Sequence, residues 1–200
     1  MRISSTNRSR ARESHISDYY VTPVEDVLLF LRAFSDAENI IWGKLHILDP
    51  CAGGDYEHEM SYPVALKKFI SGRSGQLPRI DTIDIREDSS ASIKADYLAY
   101  EFFEKPDMII TNPPFNQALP IIQKSLGIVE NGGWVIMLLR LNFFGSKARK
   151  LFWDDFMPQY AFVHHKRIGF MDNGSTDSIE YMHCCWQKGS SSKFCRLTVI

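Results

Sequence analysis

The stretch Asp107–Asn116, DMIITNPPFN, constrains the chain most, because an apolar segment runs straight into two consecutive prolines. Met108, Ile109 and Ile110 suit a strand buried on both faces. Pro113 and Pro114 each fix φ at about −65° and supply no amide donor, so the strand must end before them and the loop beyond is stiff. The combination reads as a core strand delivering a rigid loop to a sheet edge. That loop offers the Asn112 side-chain carbonyl and the Pro113 carbonyl as acceptors, and Phe115 as a flat apolar face. Two acceptors beside a ring suit a planar group that bears an NH₂.

Other short apolar runs fall at Leu45–Leu48, Ile80–Ile85, Trp134–Leu139, Tyr160–Val163 and Ile179–Trp186. Helical spacing separates most of them, at Pro63–Ile70, Gln117–Val129 and Lys147–Phe156. Strands alternating with helices predict an α/β fold with a mostly parallel sheet covered on both faces. No convincing helix lies between the last two runs, which predicts a hairpin and an antiparallel strand there. Ahead of the first run, Thr22, Pro23, Val24 and Glu25 form a T-x-x-E pattern that predicts a capping box with proline at the first helical position. Val24, Val27, Leu28, Leu31 and Phe34 give that helix its apolar face.

At 200 residues the chain is long enough for one domain with a sizeable core. The net charge of −1 gives no whole-chain excess that advertises nucleic acid or membrane, so any such surface must be a local patch. The four cysteines show neither CxxC spacing nor disulfide density, which predicts free thiols and no metal site. No apolar leader and no run of about 18 apolar residues occurs, so the expectation is a cytoplasmic protein without a membrane span. Residues 1–17 are polar, with Arg2, Arg8, Arg10 and Arg12 ahead of the first acid, and read as a flexible basic arm. Residues 18–200 read as a single domain.

In an open α/β sheet, ligands bind beyond the carboxyl ends of the strands. The first strand ends in ILDPCAGGD (Ile47–Asp55), where Gly53 and Gly54 let backbone approach a ligand or simply make a tight turn. The second ends in TIDIRED, placing Asp84 where a carboxylate accepts from both hydroxyls of a ribose. Asp96, in IKADYLAY, is the next acid in the series and suits an exocyclic amine.

The order ILDPCAGGD, TIDI, ADYL, TNPPF resembles that of the class I S-adenosylmethionine-dependent methyltransferases. The NPPF tetrapeptide looks like their amino-methyltransferase subset, and most of all the DNA adenine-N6 methyltransferases. DYYVTP (Asp18–Pro23) is similar to the family's N-terminal cofactor motif, and WVIMLLRLNFF and FVHHKRIGF to its later strands. The resemblance implies a Rossmann-like class I methyltransferase fold: a seven-stranded, mostly parallel sheet with an antiparallel C-terminal edge strand and helices on both faces. It implies S-adenosylmethionine as cofactor, with Asp49, Pro50, Cys51, Ala52 and Gly53 lining its methionine end together with Tyr20 and Thr22. Asp84 would hold the ribose, Ile85 pack on the adenine and Asp96 bond its amine. Asn112, Pro113, Pro114 and Phe115 would form the catalytic loop around a target base flipped out of duplex DNA.

Two features depart from the family's pattern. DYEHEMSYP (Asp55–Pro63) intervenes where the loop usually enters a helix directly, with Pro63 unsuited to a helix interior. The chain after FVHHKRIGF is also short, leaving recognition to loops or to a specificity partner. Arg140, Lys147, Arg149, Lys166 and Arg167 are candidate nucleic-acid contacts, with the loop MDNGSTDSIE as a hairpin tip that could reach a groove. His164 and His165 read as structural, and Cys184 and Cys185 as core. No cysteine stands in the target loop, which argues against cytosine-C5 chemistry. An RNA adenine or a protein glutamine amide fits the same loop, and a non-catalytic nucleic-acid-binding relative is the other reading.

Overall fold

The computed structural model describes residues 20–73, 75–170 and 178–200, so the basic arm and most of the MDNGSTDSIE tip lie outside the described residues. Within them, eight strands form one sheet: β1 (His46–Asp49), β2 (Arg79–Asp84), β3 (Ile93–Lys94), β4 (Met108–Thr111), β5 (Trp134–Arg140), β6 (Tyr160–Val163), β7 (Tyr181–Gln187) and β8 (Arg196–Val199). Their spatial order is β3-β2-β1-β4-β5-β7-β6-β8. Strands β1 to β5 pair in parallel, and β7 runs antiparallel to both β5 and β6. The fold class is the expected one, a mostly parallel α/β sheet. The antiparallel strand, however, sits between β5 and β6, and the edge beyond β6 is taken by β8, parallel to it.

The eighth strand escaped sequence reading because all four of its residues are exposed, so no stripe of buried apolar residues marks it. Strand β3 has only two residues, too few for any period to show. The interior strands β4 and β5 are the opposite case. Every residue of MIIT and all but the last of WVIMLLR are buried, as expected for strands covered on both faces.

Helices α1 (Val24–Ala37) and α2 (Ser61–Ser71) cover one face, where Phe30, Phe34 and Leu66 pack with Ile47, Ile110 and Ile136. Helices α3 (Ala118–Ile128) and α4 (Lys150–Asp155) cover the other, where Ile122 and Phe152 pack with Leu48, Ile109 and Val135. The alternation of β4 and β5 side chains divides the two cores. No helix among the described residues is long and apolar enough to cross a membrane.

The capping box is not formed. Helix α1 begins one residue later than the pattern predicts, with Pro23 as its N-cap at φ −58°, ψ 131° and no side-chain cap bond. Thr22 turns its hydroxyl elsewhere, as described below. Pro63 is accommodated because α2 opens at Ser61, which puts the proline in the first turn, where its missing amide leaves no helical bond unmade.

A buried polar chain ties α2 to the sheet. The Tyr62 hydroxyl bonds His183 Nε2 at 3.0 Å, and His183 Nδ1 bonds His164 Nε2 at 2.9 Å. The Phe30 ring stacks on His183 at 4.1 Å. Burial lowers the His164 pKa to about 4 and that of His183 well below its ordinary value, so both rings are neutral at pH 7.

Phe34 is fully buried and meets Phe30, Trp42, Trp134 and Phe162 at centroid distances of 5.1 to 6.4 Å. Phe34→Ala is expected to cost about 3–5 kcal/mol, seen as a lower urea midpoint with the transition slope unchanged.

Candidate active site

Strand order reverses between β1 and β4, so a crevice opens beyond their carboxyl ends. Asp49 closes β1 inside that crevice and is wholly buried. Its Oδ1 accepts the Cys51 amide at 3.3 Å, while Oδ2 is sealed from solvent with no hydrogen bond from the described residues. Burial pushes its pKa up to about 7 against the pull of the Thr111 hydroxyl and the Cys51 amide, with the Asp84 charge adding to the rise.

The loop after β1 is held from the side by the end of β2. Asp84 Oδ2 accepts the Gly53 amide at 2.7 Å, its Oδ1 accepts the Arg86 amide at 2.9 Å, and Ser89 Oγ donates to the Gly53 carbonyl at 2.5 Å. Gly53 and Gly54 adopt φ of 64° and 70°, a left-handed conformation that favours glycine. A Cβ on Gly54 would also lie 2.7 Å from Met60 Cγ. Asp55 acts locally. Its Oδ1 accepts the Glu57 and His58 amides at 2.8 and 2.7 Å, closing the extra loop back on itself. Burial alone would raise its pKa, but the His58 and Glu57 amides reverse that and hold it below the ordinary value.

Cys51 reports how closely the acids gather. Its thiol is pushed well up by burial and then by the charges of Asp49, Asp84 and, more weakly, Asp96. Asp96 itself is exposed, and its Oδ1 accepts the Leu98 amide at 2.9 Å. Ile85, at the end of β2, leaves 61% of its surface in water. Glycine backbone, three acidic side chains and a bare apolar side chain therefore gather at one edge of the sheet. They suit a ligand with hydroxyls, a flat ring and a positive charge.

Strand β4 ends beside this crevice. Asn112 Nδ2 donates to Thr22 Oγ1 at 3.1 Å and to the Tyr20 carbonyl at 3.5 Å. A carbonyl can only accept, so the amide nitrogen must face it and Oδ1 must face away. That Oδ1 is sealed from solvent and has no partner among the described residues. Thr22, expected as a helix cap, instead orients Asn112.

Phe115 belongs to a closed ring of four aromatics. Centroid distances are 5.9 Å from Tyr20 to Phe115, 5.6 Å on to Tyr181, 4.9 Å on to Phe170 and 5.6 Å back to Tyr20. Tyr181 and Phe170 were not singled out in the sequence. Tyr181 reaches this edge because β7 is antiparallel, so its first residue lies opposite Arg140, the last of β5. Only the cross-strand register shows this.

The candidate nucleic-acid contacts differ in their surroundings. The Arg140 guanidinium lies over the Phe115 ring, 4.4 Å from its centroid. Arg149 Nε donates to the Phe143 carbonyl at 2.8 Å, and Arg167 pairs with Glu180 at 3.3 Å. Lys147 and Lys166 are exposed.

The fold has clear relatives in structure. A protein of Listeria monocytogenes, provisionally described as a class I S-adenosylmethionine-dependent methyltransferase, superposes with TM-score 0.64 at 12% identity over 92% of this chain and 66% of its own. The M protein of the type I restriction enzyme EcoKI gives 0.63 at 13% identity, over 88% of this chain and 45% of that one. A Pyrococcus horikoshii protein provisionally described as an RNA methyltransferase gives 0.56 at 14% identity, over 84% and 86%. The chain thus has the Rossmann-like fold of these methyltransferase structures, and it spans less than two thirds of the length of the first two. No protein-family model and no curated protein matches the sequence.

The Asp49 pKa gives a pH prediction. A carboxyl raised from 3.8 to about 7 on folding contributes stability that is complete below 3.8 and is lost as pH rises through 7. Asp49→Asn should therefore gain on wild type between pH 4 and pH 8, by about 4 kcal/mol at most. Urea unfolding at both pH values checks this, and the buried histidines, common to both proteins, cancel.

Proposed function

We propose that this chain transfers a methyl group from S-adenosylmethionine to the N6 amine of adenine in DNA. The observation that carries the reading is Asn112 Oδ1, a buried acceptor with nothing to accept among the described residues, held in that orientation by Thr22 and Tyr20.

The crevice beside it fits the cofactor by its own chemistry. Asp49 Oδ2 is a buried acceptor suited to a cationic group, and Gly53 and Gly54 hold the left-handed turn after it. Asp84 has one lone pair left on each oxygen after its two amides, enough to accept from ribose hydroxyls. Ile85 offers its exposed side chain to an adenine ring, and Asp96 offers its carboxylate to that ring's amine. Tyr20, Pro50, Cys51 and Ala52 complete the lining. Bound there, S-adenosylmethionine supplies a methyl group already activated on a sulfonium.

What remains for the chain is to present the amine. Adenine N6 is a poor nucleophile because its lone pair is delocalised into the ring. Asn112 Oδ1 and the Pro113 carbonyl accept its two hydrogens and favour tetrahedral geometry, an interaction that strengthens as positive charge develops on nitrogen. Pro114 keeps the loop stiff. In duplex DNA the amine is out of reach, so the base must leave the stack. Target recognition falls to the loops of a single catalytic domain over residues 18–200, or to a specificity partner.

Methyl transfer from labelled cofactor to duplex DNA tests the reading. Asn112→Ala should lower the rate about 10²-fold or more while cofactor affinity holds. Thr22→Val, which removes one of the two acceptors that orient the amide, should cost about tenfold. Label entering RNA or a protein glutamine instead of DNA would reassign the substrate, and an Asn112→Ala rate near wild type would remove the assignment.

A further inference from the structure

On the strand next to the one that leads into Asn112, a second polar atom lacks a partner, and this one is a donor. Arg140 Nε is sealed from solvent and makes no hydrogen bond to the described residues. An arginine side chain does not lose its proton, so this nitrogen remains a donor. A buried charged N–H without water or an acceptor is rarely kept in a folded protein.

The two atoms belong to one structure. Asn112 follows β4 and Arg140 ends β5, neighbouring strands in parallel register. Asn112 holds the Tyr20 carbonyl, the Tyr20 ring meets Phe115, and Phe115 carries the Arg140 guanidinium on its ring at 4.4 Å. Donor and acceptor thus stand at the same ends of neighbouring strands, and neither has a hydrogen bond among the described residues. A planar ligand with an amine next to a ring nitrogen would satisfy both, and adenine presents such an edge, N6 beside N7 or N1.

We infer that Arg140 is a specificity residue of this site: its Nε donates to the ring nitrogen beside the target amine while Asn112 Oδ1 accepts from the amine. The inference rests on the adenine reading above and adds the group that recognises the ring. It also changes the part played by Phe115, whose ring face positions the guanidinium. As a phosphate contact, Arg140 would lower activity evenly across substrates; as a reader of the ring, it changes their ratio.

The test is kcat/KM on duplex oligonucleotides carrying adenine, 7-deazaadenine or 1-deazaadenine at the methylated position, for wild type and Arg140→Met. Wild type should prefer adenine over one of the two analogues by about tenfold or more. In Arg140→Met that ratio should fall to about one, with cofactor affinity unchanged. Wild type that treats both analogues as adenine overturns the inference, and this arm needs no variant to fold. Arg140→Met that keeps the wild-type ratio, however slow it becomes, also overturns it. If wild type methylates RNA rather than DNA, the same analogues placed in RNA support or overturn the inference by the same ratios. Methylation of neither polymer overturns the adenine reading and the inference with it.

Discussion

The bond from Gly53 N–H to Asp84 Oδ2, 2.7 Å and buried, ties the loop after β1 to the end of β2. A carboxylate accepting an amide away from water makes a bond roughly twice as strong as a neutral pair. It fixes Gly53 in its left-handed turn, and Ser89 holds the same residue's carbonyl from the other side. Beside the pinned loop, the Asp49 carboxyl is buried and lies close enough to the Asp84 charge for its pKa to be raised further. The rigid backbone and the acidic character of the crevice thus have one origin.

Much of the fold was legible because burial leaves a signature in sequence. The continuous apolar runs of β4 and β5, and the helical spacing of α1, report side chains that face a core. Strand β8 left no such mark, since nothing among the described residues covers Arg196–Val199. The TPVE pattern misled for a related reason. A capping threonine and a threonine that bonds across the molecule look alike in sequence, and only the approach of Asn112 decides between them.

The strand-end residues were legible one by one, because chain order gives each a strand end and sheet topology gives that end a common edge. Their mutual geometry was not. The aromatic ring of Tyr20, Phe115, Tyr181 and Phe170 draws on four separate segments, one of them antiparallel to its neighbours in the sheet. Arg140 likewise reads in sequence as a candidate nucleic-acid contact, and only the fold puts the Phe115 ring beneath it.

Pro23 links the two ends of the site. Its ψ of 131° keeps it out of the helix, so α1 begins at Val24 and Thr22 lies before the first turn. Had the helix taken the capping box, Thr22 Oγ1 would face the amides of its own first turn. Freed from capping, the hydroxyl turns to Asn112, and two residues earlier the Tyr20 carbonyl does the same while its ring meets Phe115 and Phe170. The segment before the first helix is therefore part of the candidate site's scaffold, and the orientation of the Asn112 amide depends on where α1 starts.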